Sequence, residues 1–317
     1  MKILITGGAG FIGSHLAEKL SKKNEVIVLD NLDPYYDVRI KEKNIKIVES
    51  KGAKFVIGDV TNYDFIERTI KENNIEIIFH EAARPGVRYS IKDPFLPNKV
   101  NVIGTLNILK ASLDSDVKKV INASSSSVYG KVDYLPFDEK HPTQPISPYG
   151  VSKLAMEHYC RVFYEVYGLK TISLRYFTVY GPRMRPDLAI PIFAKSILDN
   201  ISPIIFGDGE QTRDFTYIDD IVDANLKLLK TNRADGEILN IGSGRRVTIN
   251  YMIDTLKNLL NSDIKLKYVD PIKGDARDTL ANIDKAKKLI GYTPKTSLEE
   301  GLRKFLEWYK RNPGFYG

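Results

Sequence analysis

Met1-Lys2-Ile3-Leu4-Ile5-Thr6-Gly7-Gly8-Ala9-Gly10-Phe11-Ile12-Gly13 opens the chain. A short apolar run leads into three glycines spaced by two residues, then into an amphipathic stretch. The run from Lys2 to Thr6 is too brief for the apolar core of a secretory leader and reads as a parallel strand buried on both faces. The stretch from Phe11 to Leu20 reads as a helix. Strand, Gly-x-x-Gly-x-x-Gly and helix together form the context that the dinucleotide fingerprint requires. Glycines there permit a tight turn and let a pyrophosphate approach backbone N–H groups at a helix N-terminus. Gly7, Gly10 and Gly13, with Phe11 and Ile12 between them, are therefore expected to hold a dinucleotide.

Working outward, Glu25 to Leu29 is a second strand ending at Asp30. A carboxylate there accepts hydrogen bonds from ribose hydroxyls and repels a 2′-phosphate, which favours NAD over NADP. Asn31 follows it and is placed in the same site. Lys54 to Ile57 is a strand closing on Asp59 and Val60, where Asp59 either reaches the adenine or caps a helix. Ile75 to His80 is a strand running into Ala82 and Ala83, small enough for a flat cofactor to lie against backbone. Asn98 to Leu113 is expected to be one helix, with Asn101 near its start. Val117 to Ala123 is a strand ending in Ser124, Ser125, Ser126 and Ser127, hydroxyls at the carboxyl end of an open parallel sheet, where ligands bind.

Ser147-Pro148-Tyr149-Gly150-Val151-Ser152-Lys153 comes next. Ser147 suits a helix N-cap and Pro148 the first helical position. Tyr149 and Lys153 would then stand one turn apart on one face. An ammonium beside a phenol favours the phenolate, whose ordinary pKa is ~10. The strand Lys170 to Arg175 completes a repeated strand–helix pattern. The fold class is α/β, a Rossmann-type doubly wound parallel sheet over residues 1–175. Residues 176–317 are expected to form a smaller α/β substrate-binding domain, interleaved with the first. It begins with a long loop, Thr178 to Asp187, and includes a turn at Gly207-Asp208-Gly209, helices at 219–229, 248–260 and 298–309, and a strand at 238–241.

Composition narrows the class. Hydrophobic residues make up 43% of the 317, enough for a real core, and the formal charge is +7. The basic residues are interleaved with 40 acidic ones, so an anionic small ligand fits better than a nucleic acid. The single cysteine, Cys160, precludes an internal disulfide, lies on a helical pattern as a core residue, and fits a reducing, cytoplasmic compartment. No apolar run approaches a membrane span, and four scattered histidines give no metal-site spacing. His80, at a strand end, reads as structural.

Gly7/Gly10/Gly13, Asp30, the serine cluster and Tyr149-x-x-x-Lys153 together resemble the extended short-chain dehydrogenase/reductase superfamily, in its nucleotide-sugar epimerase and dehydratase branch. Asn101-Val102-Ile103-Gly104-Thr105, Arg175 to Gly181, Arg213-Asp214-Phe215 and Gly274-Asp275-Ala276-Arg277 extend the resemblance along essentially the whole chain. It implies NAD as cofactor, a UDP-sugar as substrate, and a homodimer pairing through the helices at 98–113 and 148–167. Tyr149 would take the proton of a sugar hydroxyl while hydride leaves that carbon. Lys153 would hold the nicotinamide ribose and, with the positive nicotinamide, lower the phenol pKa, and Ser125 would hydrogen-bond the reacting oxygen. The 4-keto sugar then turns and takes the hydride back on its other face.

The 4,6-dehydratases carry Asp-Glu before Val-Tyr-Gly, and the UDP-glucuronate decarboxylases carry a Glu nearby. This chain has Ser126 and Ser127 there, which leaves epimerisation. Arg-Tyr-Phe-Thr-Val-Tyr-Gly-Pro at 175–182, Arg-Pro-Asp at 185–187 and Ala-Arg-Pro-Gly-Val-Arg-Tyr-Ser at 83–90 look like the UDP-glucuronate 4-epimerases. A C5 carboxylate would find donors in Ser126, Ser127, Thr178 and Arg185. Arg213 and Arg277 are candidates for the pyrophosphate, Phe206 for stacking on uracil, and Arg88 for sugar or cofactor phosphate. UDP-glucose or UDP-N-acetylglucosamine 4-epimerisation is the alternative within this branch. A non-catalytic NAD-binding protein is a distant one, since Tyr149, Lys153 and Ser125 are all intact.

Overall fold

The computed structural model describes residues 1–271 and 276–316. Strand β1 (Lys2–Thr6) lies in the middle of its sheet, and Ile3, Leu4 and Ile5 are fully buried. Each such side chain contributes roughly 1.5–3 kcal/mol of hydrophobic stabilisation. Both faces are covered because Ile3 and Ile5 point into one core and Leu4 into the other. Helix α1 (Phe11–Leu20) follows, then β2 (Glu25–Asp30), α2 (Val38–Glu49), β3 (Lys54–Ile57), α3 (Tyr63–Glu72) and β4 (Ile77–His80). After α4 (Val87–Lys92) and the single turn α5 (Phe95–Pro97), residues Asn98–Ile103 form a π-helical turn leading into α6 (Gly104–Leu113). The expected single helix is thus interrupted, and Asn101 sits in the interruption. Strand β5 (Lys119–Ser125), helix α7 (Pro148–Tyr167) and strand β6 (Thr171–Tyr176) complete the first half.

The main sheet has seven parallel strands. From one edge they run Ile238–Ile241, β6, β5, β4, β1, β2, β3. The chain reverses its winding between β1 and β4, so the crevice beyond their carboxyl ends lies at the centre of the sheet. That geometry gathers the glycine loop, Asp30, Glu81, Ala82 and the serine cluster at one edge. Ser147 caps α7 as expected, its Oγ accepting from the Gly150 N–H at 3.1 Å, with Pro148 in the first turn.

The second half of the chain supplies the edge strand Ile238–Ile241 of the main sheet. Part of the expected loop is ordered as the strand Thr178–Tyr180, which pairs in parallel with Phe215–Tyr217. Helices lie at Ala189–Leu198, Ile218–Leu228, Ile249–Leu260, Asp284–Ile290 and Leu298–Arg311. Cys160 is buried, and burial pushes its thiol up to about 12. No helix among the described residues is long and apolar enough to cross a membrane.

Candidate active site

One cavity runs along the carboxyl edge of the sheet, lined at one end by Gly7, Gly10, Phe11, Ile12, Gly13, Asp30, Asn31 and Val60 and at the other by Ala82, Ala83, Tyr149, Lys153 and Arg185. Its floor is a fit too close for side chains. Gly7 has φ of 67°, and a Cβ there would stand 2.7 Å from the Ala82 backbone. One on Gly13 would stand 2.5 Å from the Gly7 carbonyl oxygen. Gly10, the N-cap of α1, has no side chain to satisfy the first-turn N–H groups. Those donors, at the positive end of the helix dipole, fit a pyrophosphate.

The Asp30 carboxylate accepts from Ala9 N at 3.3 Å and from Leu32 N at 2.9 Å, and it pairs with the buried Lys41 ammonium at 3.3 Å. Lys41 balances the charge expected to repel a 2′-phosphate, so discrimination against NADP does not follow from Asp30 alone. Asp59 neither caps a helix nor lines the cavity wall. Asn62 is the cap of α3, and Asp59 accepts from Thr61 N, Thr61 Oγ1 and Asn31 Nδ2, at 2.8, 2.7 and 2.9 Å. Asn101 is fully buried behind the cavity. It accepts from Arg84 N at 2.6 Å and donates to Arg84 O and to Ser152 Oγ. Its amide therefore braces the loop after β4 and is not presented to the cavity. His80 is structural as expected, bridging Thr6 and Thr105 at 2.7 and 3.0 Å, with burial holding its ring down at about 3.

At the other end Lys153 Nζ donates to the Ala123 carbonyl at 2.6 Å and lies 5.9 Å from the centroid of the Tyr149 ring. Burial pushes this ammonium down to about 8, against the opposing pull of Glu81 and then Glu157. The Tyr149 phenol is not lowered in this structure. Burial raises it, and what opposes the rise is a hydrogen bond with Ser125 and the charge of Arg185. The cost of burial exceeds what a lysine hydrogen-bonded elsewhere returns, and the expected lowering by Lys153 was one shared with a positive nicotinamide.

The four serines separate by partner. Ser124 Oγ is committed to the buried Glu157 carboxylate at 2.5 Å. Ser125 hydrogen-bonds Tyr149 and accepts from Ser127 N at 3.1 Å. Ser126 and Ser127 line a neighbouring recess with Thr178, Arg213 and Ala276. A second large cavity holds Arg88, Thr178, Phe206, Arg213 and Arg277, and meets the first at Leu188. Arg88 lies over the Phe206 ring at 4.8 Å, and Arg277 pairs with Asp208 at 3.1 Å. Of the four expected carboxylate donors, only Arg185 shares the Tyr149 cavity, where it pairs with Asp187 at 3.0 Å. In Gly274-Asp275-Ala276-Arg277 the first two positions lie outside the described residues.

Several residues escape a reading of motifs. Arg84 pairs with Asp33 and sits in the corner formed by the perpendicular rings of Tyr35 and Tyr89, at 4.5 and 4.2 Å from their centroids. Tyr35 in turn donates to Asp187 at 3.2 Å, so the loop after β2 is tied across the cavity to the Arg185 segment. Glu81 lines the cavity beside Lys153. A carboxylate directly after a buried parallel strand was the signal available for it. Glu157 forms a buried two-bond pair with Arg175, at 2.9 and 2.7 Å.

Residues 3–242 match the family described as NAD dependent epimerase/dehydratase. A putative UDP-glucose 4-epimerase of Methanocaldococcus jannaschii is 40% identical over 98% of this chain and 99% of its own. The UDP-glucuronate 4-epimerase of Thermodesulfobacterium geofontis is 39% identical over 98% of this chain and 96% of its own. The crystal structure of the UDP-glucuronic acid 4-epimerase of Bacillus cereus, in complex with UDP-glucuronic acid and NAD, superposes with a TM-score of 0.93 at 37% identity, covering 98% of this chain and 99% of the other.

Proposed function

The chain belongs to the NAD dependent epimerase/dehydratase family, and we propose that it is a UDP-sugar 4-epimerase that interconverts UDP-glucuronate and UDP-galacturonate. NAD is its cofactor, and the cradle of Gly7, Gly10 and Gly13 with the uncapped α1 N-terminus fits the pyrophosphate. Bound NAD supplies the hydride acceptor and returns the same hydride. The chain's own groups move and hold the proton. Tyr149 takes it from the C4 hydroxyl and gives it back, while Ser125, already hydrogen-bonded to that phenol, holds the reacting oxygen. Lys153 donates to the nicotinamide ribose. With Tyr149 raised by burial, the occupied site must lower the phenol further before it serves as base at neutral pH.

The observation that carries the choice of glucuronate is the position of Arg185. Its guanidinium lines the Tyr149 cavity and is close enough for its charge to act on the phenol. A carboxylate on C5, next to the reacting C4, would meet that guanidinium; Ser126, Ser127 and Thr178 line the neighbouring recess and would serve it only from there. Restraining it matters, because a 4-keto glucuronate is a β-keto acid that loses CO₂ readily. Arg213, Arg277 and Arg88 are assigned to the diphosphate side of the second cavity, and Phe206 to the uracil. UDP-glucose is the second reading, favoured by the M. jannaschii relative. NMR of the purified protein with UDP-glucuronate, UDP-glucose and UDP-N-acetylglucosamine, without added NAD, decides between them. UDP-galacturonate as product supports the proposal, exclusive turnover of UDP-glucose overturns it, and a UDP-pentose would mean decarboxylation.

We extend the reading to a homodimer. Val151, Tyr159, Val162 and Val166 form one exposed apolar stripe along α7, and Phe95 (83% exposed) and Ile103 stand exposed on the neighbouring α5 and π-helical turn. Two copies pairing these faces would bury them; light scattering that returns a monomer refutes the extension.

A further inference from the structure

Glu81 is a buried-site carboxylate that the proton transfers above do not use. It follows the last residue of β4, and its backbone N–H donates to Thr6 O at 3.2 Å, holding it between the glycine loop and β5. Its side chain lines the cavity with Tyr149, Lys153 and Tyr176. A donor chain leads to it. Asn225 Nδ2 donates to Tyr176 Oη at 2.9 Å, and the phenol hydrogen has two acceptors, Glu81 Oε1 at 3.0 Å and Asn225 Oδ1 at 3.2 Å, of which the carboxylate is the nearer and the stronger. That arrangement presents Glu81 as an acceptor. The nearby Glu157 is already neutralised by its two bonds to Arg175. Glu81 has no such arginine among the described residues, and its carboxylate accepts from a neutral phenol.

We propose that Glu81 is a positioning residue of charge: its carboxylate keeps the Lys153 ammonium protonated and favours the oxidised, cationic nicotinamide over the neutral reduced ring. The proposal rests on the reading that NAD occupies this cavity. An epimerase needs such a bias more than a dehydrogenase does. It must return the hydride to the same sugar, and an enzyme left with reduced cofactor after losing the keto sugar is out of cycle. A negative charge at the nicotinamide end of the cavity pushes that balance toward the oxidised form. Burial raises the Glu81 carboxyl to about 7, opposed by the Tyr176 hydrogen bond and by Lys153, so the bias should switch on across neutral pH. The titratable groups that act on it are Tyr176 of β6 and Lys153 and Tyr149 of α7, and Arg185, beyond β6, lines the same cavity.

The test is the affinity of the protein, stripped of nucleotide, for NAD and for NADH, measured by calorimetry at pH 6 and pH 8.5 for wild type, Glu81→Gln and Tyr176→Phe. At pH 8.5 Glu81→Gln should bind NAD about 10-fold or more weakly, the scale set by one unit charge several ångströms away at an effective dielectric of about 20. NADH binding should move by no more than about 3-fold, and at pH 6 wild type and Glu81→Gln should converge. Tyr176→Phe keeps the carboxylate but removes its donor, so the pH at which the preference for NAD develops should rise. Equal losses of NAD and NADH at both pH values would make Glu81 merely structural and overturn the proposal. If Glu81→Gln fails to fold, an unchanged pH dependence in Tyr176→Phe overturns it instead. Wild type that shows the pH-dependent preference but epimerises no UDP-sugar would refute the functional reading alone. Normal epimerisation with no loss of preference in Glu81→Gln would refute this inference alone.

Discussion

Three alanine substitutions separate the two physical demands placed on the glycine loop. Gly52 has φ of 92° and open space around it, so Gly52→Ala meets backbone strain only. Its cost should be about 1–2 kcal/mol, the penalty of the left-handed region for an L-residue. Gly13 has no such strain, but its Cβ would stand 2.5 Å from the Gly7 oxygen and 2.8 Å from Gly8 Cα. These are backbone atoms, which cannot swing aside, so Gly13→Ala should cost about 1–3 kcal/mol as overpacking. Gly7 carries both burdens, with φ of 67° and a Cβ at 2.7 Å from Ala82 N and Cα. Summing the two terms gives about 2–5 kcal/mol. The relief for Gly7→Ala is to part the loop from the end of β4, which opens the cavity floor. NAD binding should therefore weaken by at least about tenfold in Gly7→Ala and Gly13→Ala, about 1.4 kcal/mol, and stay unchanged in Gly52→Ala. Equilibrium urea unfolding gives the stabilities and calorimetry the affinities. Gly7→Ala no less stable than Gly52→Ala, or with undiminished NAD binding, would refute the reasoning.

Removing the Ser125 hydroxyl takes away an interaction that holds the Tyr149 phenol down, so Ser125→Ala should move the acidic, ascending limb of the pH–rate profile to higher pH; an acidic limb at the wild-type pH would contradict the assignment. Tyr149→Phe should abolish turnover while the protein still binds NAD, read by NMR assay and calorimetry. Arg185→Ala should lose UDP-glucuronate turnover by a larger factor than UDP-glucose turnover, and equal losses would remove the carboxylate role. Glu157→Ala leaves the buried Arg175 guanidinium without its counter-charge and should cost about 3–5 kcal/mol in urea unfolding. Cys160, buried with its thiol pushed up to about 12, should resist thiol reagents in the native protein and react once urea unfolds it.

Much of this molecule was legible in one dimension because its signals are local. A strand of consecutive buried aliphatics, a turn only glycine can make, and a serine–proline helix start are each decided by neighbours within a few residues. β1, α1 and the start of α7 therefore fall where their residues predict. Tyr149 and Lys153 share a face because helical spacing puts them there. The interruption at Asn98–Ile103 was not legible, since Asn101 is held by Arg84 and Ser152, residues remote in sequence. What acts on the phenol is likewise a matter of three-dimensional placement. Spacing alone assigns Lys153 the task of lowering Tyr149, but burial dominates, and the opposing influences come from Ser125 and Arg185, on other segments. Glu81, Arg84 and Lys41 acquire meaning only when the sheet brings them to the cavity edge, because burial and charge pairing depend on everything packed nearby. The order of residues by itself determined the fold class and the kind of chemistry. Only the tertiary structure decided which hydroxyl and which charges act at the reacting centre, because electrostatic influence follows distance through space and not position along the chain.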